Sequence, residues 1–248
     1  MLTFPPHRRS LGSDLRLAAV LAFVAGAANA IALRSSGVFA ANMTGNASLT
    51  IDRALSGASG PALAFAAMIL AFVSGAAACT LLGAVARRRG WGRLDARRVL
   101  VQAAGMALLG LAASTGRAGD AWISGVLAFL MGWQNALATT ISGAKARSTH
   151  LSGIFTDIGI DIGCLAVGDA LSPAARDRLV LGIATCVAFC GGAAAGIVGF
   201  VHVREWTLVA LAAILGIAAS ISAGAATRAS TASLVDLHQA GAAPNEPS

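Results

Sequence analysis

The segment Ala41–Thr50 reads ANMTGNASLT and places side-chain amides and hydroxyls between two strongly apolar stretches of the chain. Asparagine side chains donate and accept hydrogen bonds, as threonine hydroxyls do, so a segment of this kind could bind a polar solute. Its glycine is expected to interrupt a helix locally, because glycine weakens helices and tolerates unusual backbone angles. We therefore take Asn42, Thr44, Gly45 and Asn46 as candidate solute-binding residues, with a short helix expected to begin near Asn46.

A second polar segment, THLSGIFTDIGIDIG, follows in the other half of the chain at residues 149–163. Its helix is expected to begin near Ser152, and His150, Ser152 and Gly153 are further candidates for solute binding. Asp157 and Asp161 stand four residues apart and would share one helix face. Carboxylates at membrane depth are costly and often couple ions or protons, so we predict an ion-coupling role for both. If the segment lies in a cytoplasmic loop instead, both are ordinary solvated acids.

Motifs for catalysis are missing from the sequence. It contains no GxSxG, HExxH or paired CxxC pattern, and three of its four cysteines lie inside apolar runs. We therefore predict no enzyme activity, no cofactor and no metal site. An intramembrane enzyme that uses His150 is the least favoured alternative.

The elements that must position these residues are apolar. The chain of 248 residues is 56% hydrophobic and only 12% charged, whereas soluble domains carry about 25% charged residues. Six runs lack any charged residue or histidine, and a helix needs roughly 20 residues to cross a bilayer. The composition predicts an all-α integral membrane protein with six transmembrane helices, at Leu17–Leu33, Pro61–Ala86, Val99–Thr115, Ala121–Ile141, Leu179–Val201 and Trp206–Ala226.

The two halves of the chain also resemble each other. Residues 26–37 and residues 132–143 are identical at six of twelve positions when they are aligned at an offset of 106. The shared positions include Asn29 and Asn135, which join the solute-binding candidates together with Gln134. Each half has one span, a polar segment and two further spans, so we predict two three-span repeats at 17–115 and 121–226.

Because three is an odd number, the two repeats would face opposite ways across the membrane, as in many secondary transporters. With a cytoplasmic N-terminus, fourteen of the eighteen lysines and arginines fall on the cytoplasmic side, which agrees with the positive-inside rule. This count requires segments 38–58 and 144–170 to be re-entrant, half-spanning or surface-lying helices. Full crossing of both segments is the alternative, and the excess of lysines and arginines on the cytoplasmic side would then disappear.

These features predict a multi-pass protein of the plasma membrane with both termini cytoplasmic. Residues 1–16 form the N-terminal tail, and the polar stretch 227–248 reads as a disordered C-terminal tail. Six arginines lie between residues 87 and 98, and Arg87, Arg88 and Arg89 are predicted to contact anionic lipid rather than nucleic acid. The oligomeric state is left open, a homo-oligomer included.

Several of these residues resemble a known family. Asn42-Met43-Thr44-Gly45-Asn46, the pair Gln134-Asn135 and the later Thr-His-x-Ser-Gly-x-x-Thr-Asp stretch look like the YoaK family of small bacterial integral membrane proteins of unknown function. The resemblance extends from about residue 15 to residue 226 and implies a polytopic inner-membrane protein, without a substrate or a reaction. From the residues themselves, the favoured function is transport of a small solute, and the alternative is a non-catalytic subunit or scaffold that binds a partner.

Overall fold

The structure, a computed structural model, describes residues 11–92, 94–116, 119–142 and 151–221. In these ranges the regular structure is helical. Seven helices are followed by an eighth that continues to the last described residue: α1 Leu11–Ser36, α2 Met43–Leu55, α3 Ser59–Arg88, α4 Leu94–Ser114, α5 Asp120–Ser142, α6 Leu151–Ala166, α7 Pro173–Val203 and α8 Trp206–Ile221.

Five helices, α1, α3, α4, α5 and α7, are long and apolar enough to cross a membrane, and α8 is a shorter apolar helix of the same character. Each coincides with one of the six apolar runs and most extend beyond the run at both ends. Their outward faces carry large apolar side chains such as Leu63, Leu70, Val187 and Ile217. Apolar side chains exposed in such number along long helices are suited to lipid rather than to water. The protein is a multi-pass helical membrane protein.

The helix directions follow from contacts near the helix ends. Ser36, the last residue of α1, lies 2.9 Å from Ser124 in the first turns of α5. The end of α7 joins them, because Arg34, Asp120 and Arg204 border one small cavity. In the second half of α5, the Trp133 indole nitrogen donates to the carbonyl oxygen of Arg98 near the start of α4. Gly83, near the end of α3, lies against the Arg98 side chain. Thus α1, α4 and α7 run in one direction, and α3 and α5 run in the other.

Two helix pairs, α1 with α7 and α3 with α5, form the closest crossings. In each crossing a glycine of one helix lies directly on the backbone carbonyl of a phenylalanine of the other, so a Cβ there would collide with main-chain atoms. Small residues permit this approach in membranes. The contacts are reciprocal: Gly26 on Phe189 and Gly192 on Phe23 join α1 to α7, and Gly132 on Phe72 and Gly75 on Phe129 join α5 to α3.

The two short helices pack beside the long helix that follows each of them, α2 against α3 and α6 against α7. Gly37 ends α1 in the left-handed region, with φ +70°, and the chain then turns back toward α2. Asn42 caps α2, since its side-chain oxygen accepts from the backbone N–H of Gly45 at 3.0 Å. Helix α2 therefore begins at Met43, three residues before the predicted position, while α6 begins at Leu151, beside the predicted Ser152.

Two sequence interpretations are corrected by this arrangement. Gly45 does not interrupt a helix; it lies in the first turn of α2, where a Cβ would meet the Asn42 amide at 2.7 Å and the Phe39 ring at 3.1 Å. The arginine-rich loop is shorter than predicted, because α3 continues to Arg88 and α4 begins at Leu94. Arg98 consequently lies inside α4 and is buried.

Candidate functional site

A cavity of about 620 Å³ opens between the two halves of the protein. Its walls come from α1, α3, α5 and α7 together with the first turns of α2 and α6. The polar side chains in the walls are amides and hydroxyls, and most of the remaining wall residues are apolar. The polar lining residues are Asn29, Asn42, Thr44, Ser48, Asn135 and Ser152.

The cavity lies near the middle of the long helices. Phe72 and Phe189 form part of its wall, and they stand close to the midpoints of α3 and α7. Phe72 is thirteen residues beyond the start of α3, and α2 is also thirteen residues long. Phe189 is sixteen residues beyond the start of α7, and α6 has the same length. Each short helix therefore extends roughly 20–24 Å, from cavity depth to the beginning of the next long helix.

The first half contributes a tightly held wall. The Asn29 side-chain oxygen accepts from the backbone N–H of Ala41 at 2.9 Å and holds the chain before α2 against α1. Asn42 and Thr44, in the cap and first turn of α2, are exposed to the cavity. The first N–H groups of a helix lack helical partners, so hydrogen-bond donors converge at this end of α2.

The second half contributes the corresponding wall. Asn135 stands in α5 where Asn29 stands in α1, three residues after the crossing glycine in both helices. Ser152 and Phe155 from the first turns of α6 complete the wall. The same crossings thus place one phenylalanine and one asparagine from each half around a single space.

The arrangement suits hydrogen bonding to a small polar molecule. Amides and hydroxyls can recognise a solute without giving up or taking a proton, and the phenylalanines can pack against its apolar surface. No group of three or more histidine, cysteine or acidic residues that could hold a metal ion occurs within the described ranges.

A family model described as "Protein of unknown function (DUF1275)" matches residues 17–221, which is most of the chain and includes every described residue of the cavity wall. The chain belongs to the DUF1275 family. No curated protein and no solved structure matches it.

Three of the predicted solute-binding residues in this DUF1275 protein, Asn46, Gln134 and Gly153, are not part of the cavity wall. Asn46 is fully buried, and its amide bonds both backbone groups of Phe39, accepting from the N–H at 3.1 Å and donating to the carbonyl at 2.7 Å. Gln134 is also fully buried, donates to the Leu21 carbonyl at 2.8 Å and accepts from Gln102 at 2.6 Å. Both side chains hold parts of the protein together, so we leave them out of the proposed site.

The two predicted ion-coupling carboxylates also lie outside the cavity wall. Asp161 is buried between α6 and α7, where one carboxylate oxygen accepts from the Arg178 guanidinium at 2.7 Å. Asp157, one turn earlier, is exposed. The ion pair joins α6 to the helix packed beside it, so Asp161 has a structural partner outside the cavity.

Most of the remaining candidates border the cavity. Asn29, Asn42, Thr44, Gly45, Asn135 and Ser152 border the cavity. Gly153 lies in the first turn of α6 but is not part of the wall. His150 lies outside the described residues.

Phe72 and Phe189 are among the wall residues that the sequence interpretation missed, together with Ala41, Met43, Ser48, Leu151 and Phe155. A signal for Phe72 and Phe189 was present, because the pattern Ala-Phe-x-x-Gly occurs four times, beginning at Ala22, Ala71, Ala128 and Ala188. Each crossing in this DUF1275 protein uses two copies, and in both cases the phenylalanine of one copy meets the glycine of the other. A comparison at the single offset of 106 does not align the second and fourth copies, which are 117 residues apart.

Proposed function

We propose that this protein transports a small polar solute and that the cavity between its two halves is the binding site. The observation that carries the proposal is the composition of the cavity wall, in which both halves supply residues of matching type. Asn29 corresponds to Asn135, Phe72 to Phe189, and Thr44 to Ser152. Binding sites between structural repeats near mid-membrane are typical of secondary transporters.

The proposal includes six membrane spans arranged as two inverted three-span repeats. Two long helices of the first half run opposite to their counterparts, since α1 opposes α5 and α3 opposes α7. The first residues of α8 pack against Gly110 near the end of α4, so α8 returns in the direction opposite to α4. This pattern supports an inverted repeat in which α8, despite its 16 described residues, is the sixth span.

In this topology α2 and α6 are half-spanning re-entrant helices. Their lengths equal the distance along α3 and α7 from the helix start to the cavity, which favours re-entry over full crossing or a surface position. Broken backbone at membrane depth is tolerated where it lines a cavity. The arginine-rich α3–α4 connection would then be cytoplasmic, together with both termini, in a bacterial inner membrane of the kind that YoaK-like proteins occupy.

Transport can be tested with purified protein in liposomes. The external solution would hold a defined mixture of amino acids, sugars, nucleosides and small organic anions, and mass spectrometry would measure what enters. We expect at least one solute to accumulate above the level in empty liposomes. Thr44→Val and Ser152→Ala remove single hydroxyls from the cavity wall and should each reduce that uptake about tenfold, the loss expected for one hydrogen bond to a bound solute.

Thr80→Val is the matched control, because Thr80 is an exposed residue of α3 whose hydroxyl bonds its own helix at Ala76. Its uptake should equal that of the unmodified protein. Uptake that is unaffected by both cavity variants, or equal loss in the control, would contradict the assignment of the cavity. Absence of uptake for the whole mixture would contradict the transport proposal.

A further inference from the structure

Another cavity, of about 300 Å³, lies between the end of α3 and the beginning of α4. Its walls are almost wholly apolar and include Leu82, Leu94, Leu100 and Val101. Leu100 and Val101 are exposed on the outer surface of α4. The groove therefore opens toward the hydrocarbon around two helices that can cross a membrane.

Cationic side chains cluster on an aromatic ring at the polar end of this groove. Trp91, in the connection between α3 and α4, has the Arg89 guanidinium 5.9 Å and the Arg97 guanidinium 5.7 Å from its ring centroid. Both distances are within the range of cation–π attraction. Trp91 and Arg97 also border the groove, so the ring and one charge lie directly beside the apolar wall.

A buried charge forms part of the same wall. The side chain of Arg98 is almost fully buried, and its guanidinium lies against Gly83 of α3. Its ion pair with Asp95 is long, at 3.8 Å, and its Nε atom has no hydrogen-bond partner. A buried cation is stabilised by a nearby anion, and a long pair with one carboxylate compensates it only in part.

We propose that the groove between α3 and α4 binds one anionic phospholipid. An acyl chain occupies the apolar groove along Leu100 and Val101, and the phosphate lies against the guanidinium groups of Arg89 and Arg97 at its polar end. Arg98 adds a positive charge to the groove wall that its long ion pair with Asp95 compensates only in part. This site is more specific than the general lipid contact expected of Arg87–Arg89, and it does not depend on the transport proposal.

The position and charge of the groove favour a lipid over other occupants. The groove lies at the ends of two spanning helices, where headgroups meet hydrocarbon and where tryptophan is enriched. Arginines attract anionic headgroups at a membrane surface by about 1 kcal/mol each. An acidic peptide would meet the charges but would not fill an apolar groove that opens toward lipid.

The test uses the full-length protein in a neutral detergent. Phosphatidylglycerol and phosphatidylcholine with the same acyl chains would be titrated in turn, and binding would be followed by native mass spectrometry and by thermal stability. We expect phosphatidylglycerol to bind and to raise the melting temperature more than phosphatidylcholine does. Arg97→Gln should weaken phosphatidylglycerol binding about fivefold, the effect of one arginine at an anionic surface. Trp91→Ala should weaken it similarly.

The matched control is Arg176→Gln, because Arg176 is an exposed arginine in the first turn of α7. The topology proposed above places it on the same membrane face. Equal loss in this variant would mean diffuse attraction and would overturn the site, as would equal binding of the two lipids. A stability increase with glycerol phosphate alone that matches the effect of the lipid would also overturn it. Arg97→Lys, which keeps the charge, should retain most of the binding and shows that loss in Arg97→Gln is not misfolding.

Discussion

At the scale of single residues, the polar segment at residues 41–50 contains side chains with two different roles. Asn42 and Thr44 are exposed to the cavity, whereas Asn46 is fully buried and bonds both backbone groups of Phe39. An amide that satisfies a neighbouring N–H and carbonyl stabilises a loop in the way that a backbone pairing would. Asn46 therefore holds the first wall of the cavity in position without lining the cavity itself.

This role predicts a large effect of one substitution. Asn46→Ala leaves the N–H and carbonyl of Phe39 without their partner and should lower the free energy of unfolding by about 2–4 kcal/mol. The measurement is denaturant or thermal unfolding of the protein in detergent. Asn46→Asp should recover only part of the loss, because a carboxylate accepts from the N–H but cannot donate to the carbonyl.

Asn42→Ala serves as the comparison four residues away. It removes one exposed capping bond, to Gly45, and should cost about 1 kcal/mol. If Asn46→Ala unfolded at the same denaturant concentration as Asn42→Ala or the unmodified protein, Asn46 would not be the structural residue described here.

At the scale of helices, the two reciprocal glycine–phenylalanine crossings set the shape of the cavity. In α1, Gly26 precedes the cavity residue Asn29 by three positions and contacts Phe189, which also borders the cavity. In α5, Gly132 precedes Asn135 by three positions and contacts Phe72. A small separation of either helix pair would therefore move an asparagine and a phenylalanine at once.

Two adjacent glycines of α7 allow a clean test of this dependence. A Cβ at Gly192 would collide with the Phe23 carbonyl, whereas a Cβ at Gly191 would meet nothing within 4 Å. Gly192→Ala should destabilise the protein by about 1–3 kcal/mol or more, because the collision is with backbone and forces the helices apart. Thermal unfolding in detergent measures the loss.

Gly191→Ala should be neutral or slightly stabilising, since alanine favours helix over glycine by up to about 1 kcal/mol. The two substitutions add the same methyl group to the same helix at neighbouring positions. Equal melting temperatures for the two variants would show that the α1–α7 crossing is not as close as described.

At the scale of the whole molecule, the proposed topology places the α3–α4 connection and the beginning of α7 on one face of the membrane. Single cysteines at Arg89 and Arg176, in a protein whose native cysteines are replaced, should react with an impermeant maleimide from the same side. A cysteine at Ser56, just after α2, should react from the opposite side. Labelling of right-side-out and inside-out vesicles measures all three.

A cysteine at Thr115, after the end of α4, is the positive control for the opposite side. Labelling of Arg89 and Arg176 from different sides would mean that α2 and α6 cross the membrane completely. The inverted three-span arrangement would then be wrong, although the cavity between the halves would still need an explanation.

Much of the architecture was predictable because it depends on local composition. The six apolar runs predicted the long helices, and the polar segments predicted two short ones, with α6 beginning beside the expected residue. The asparagine pair was visible from the repeat. The position of Gln134, Asp157 and Asp161 outside the cavity wall was not predictable, because it depends on which side of a helix faces the neighbouring half.

The sequence by itself determined that this chain partitions into a bilayer and that each half carries one polar segment with a short helix, because hydropathy and helix formation depend on residues close together in the chain. Only the tertiary structure decided that Asn29 and Asn135 border one cavity while Asn46 and Gln134 are enclosed as structural residues. It also decided that Arg98 is buried beside an apolar groove. These outcomes depend on the rotation and spacing of helices that are distant in the chain, and close glycine contacts with phenylalanine carbonyls set both.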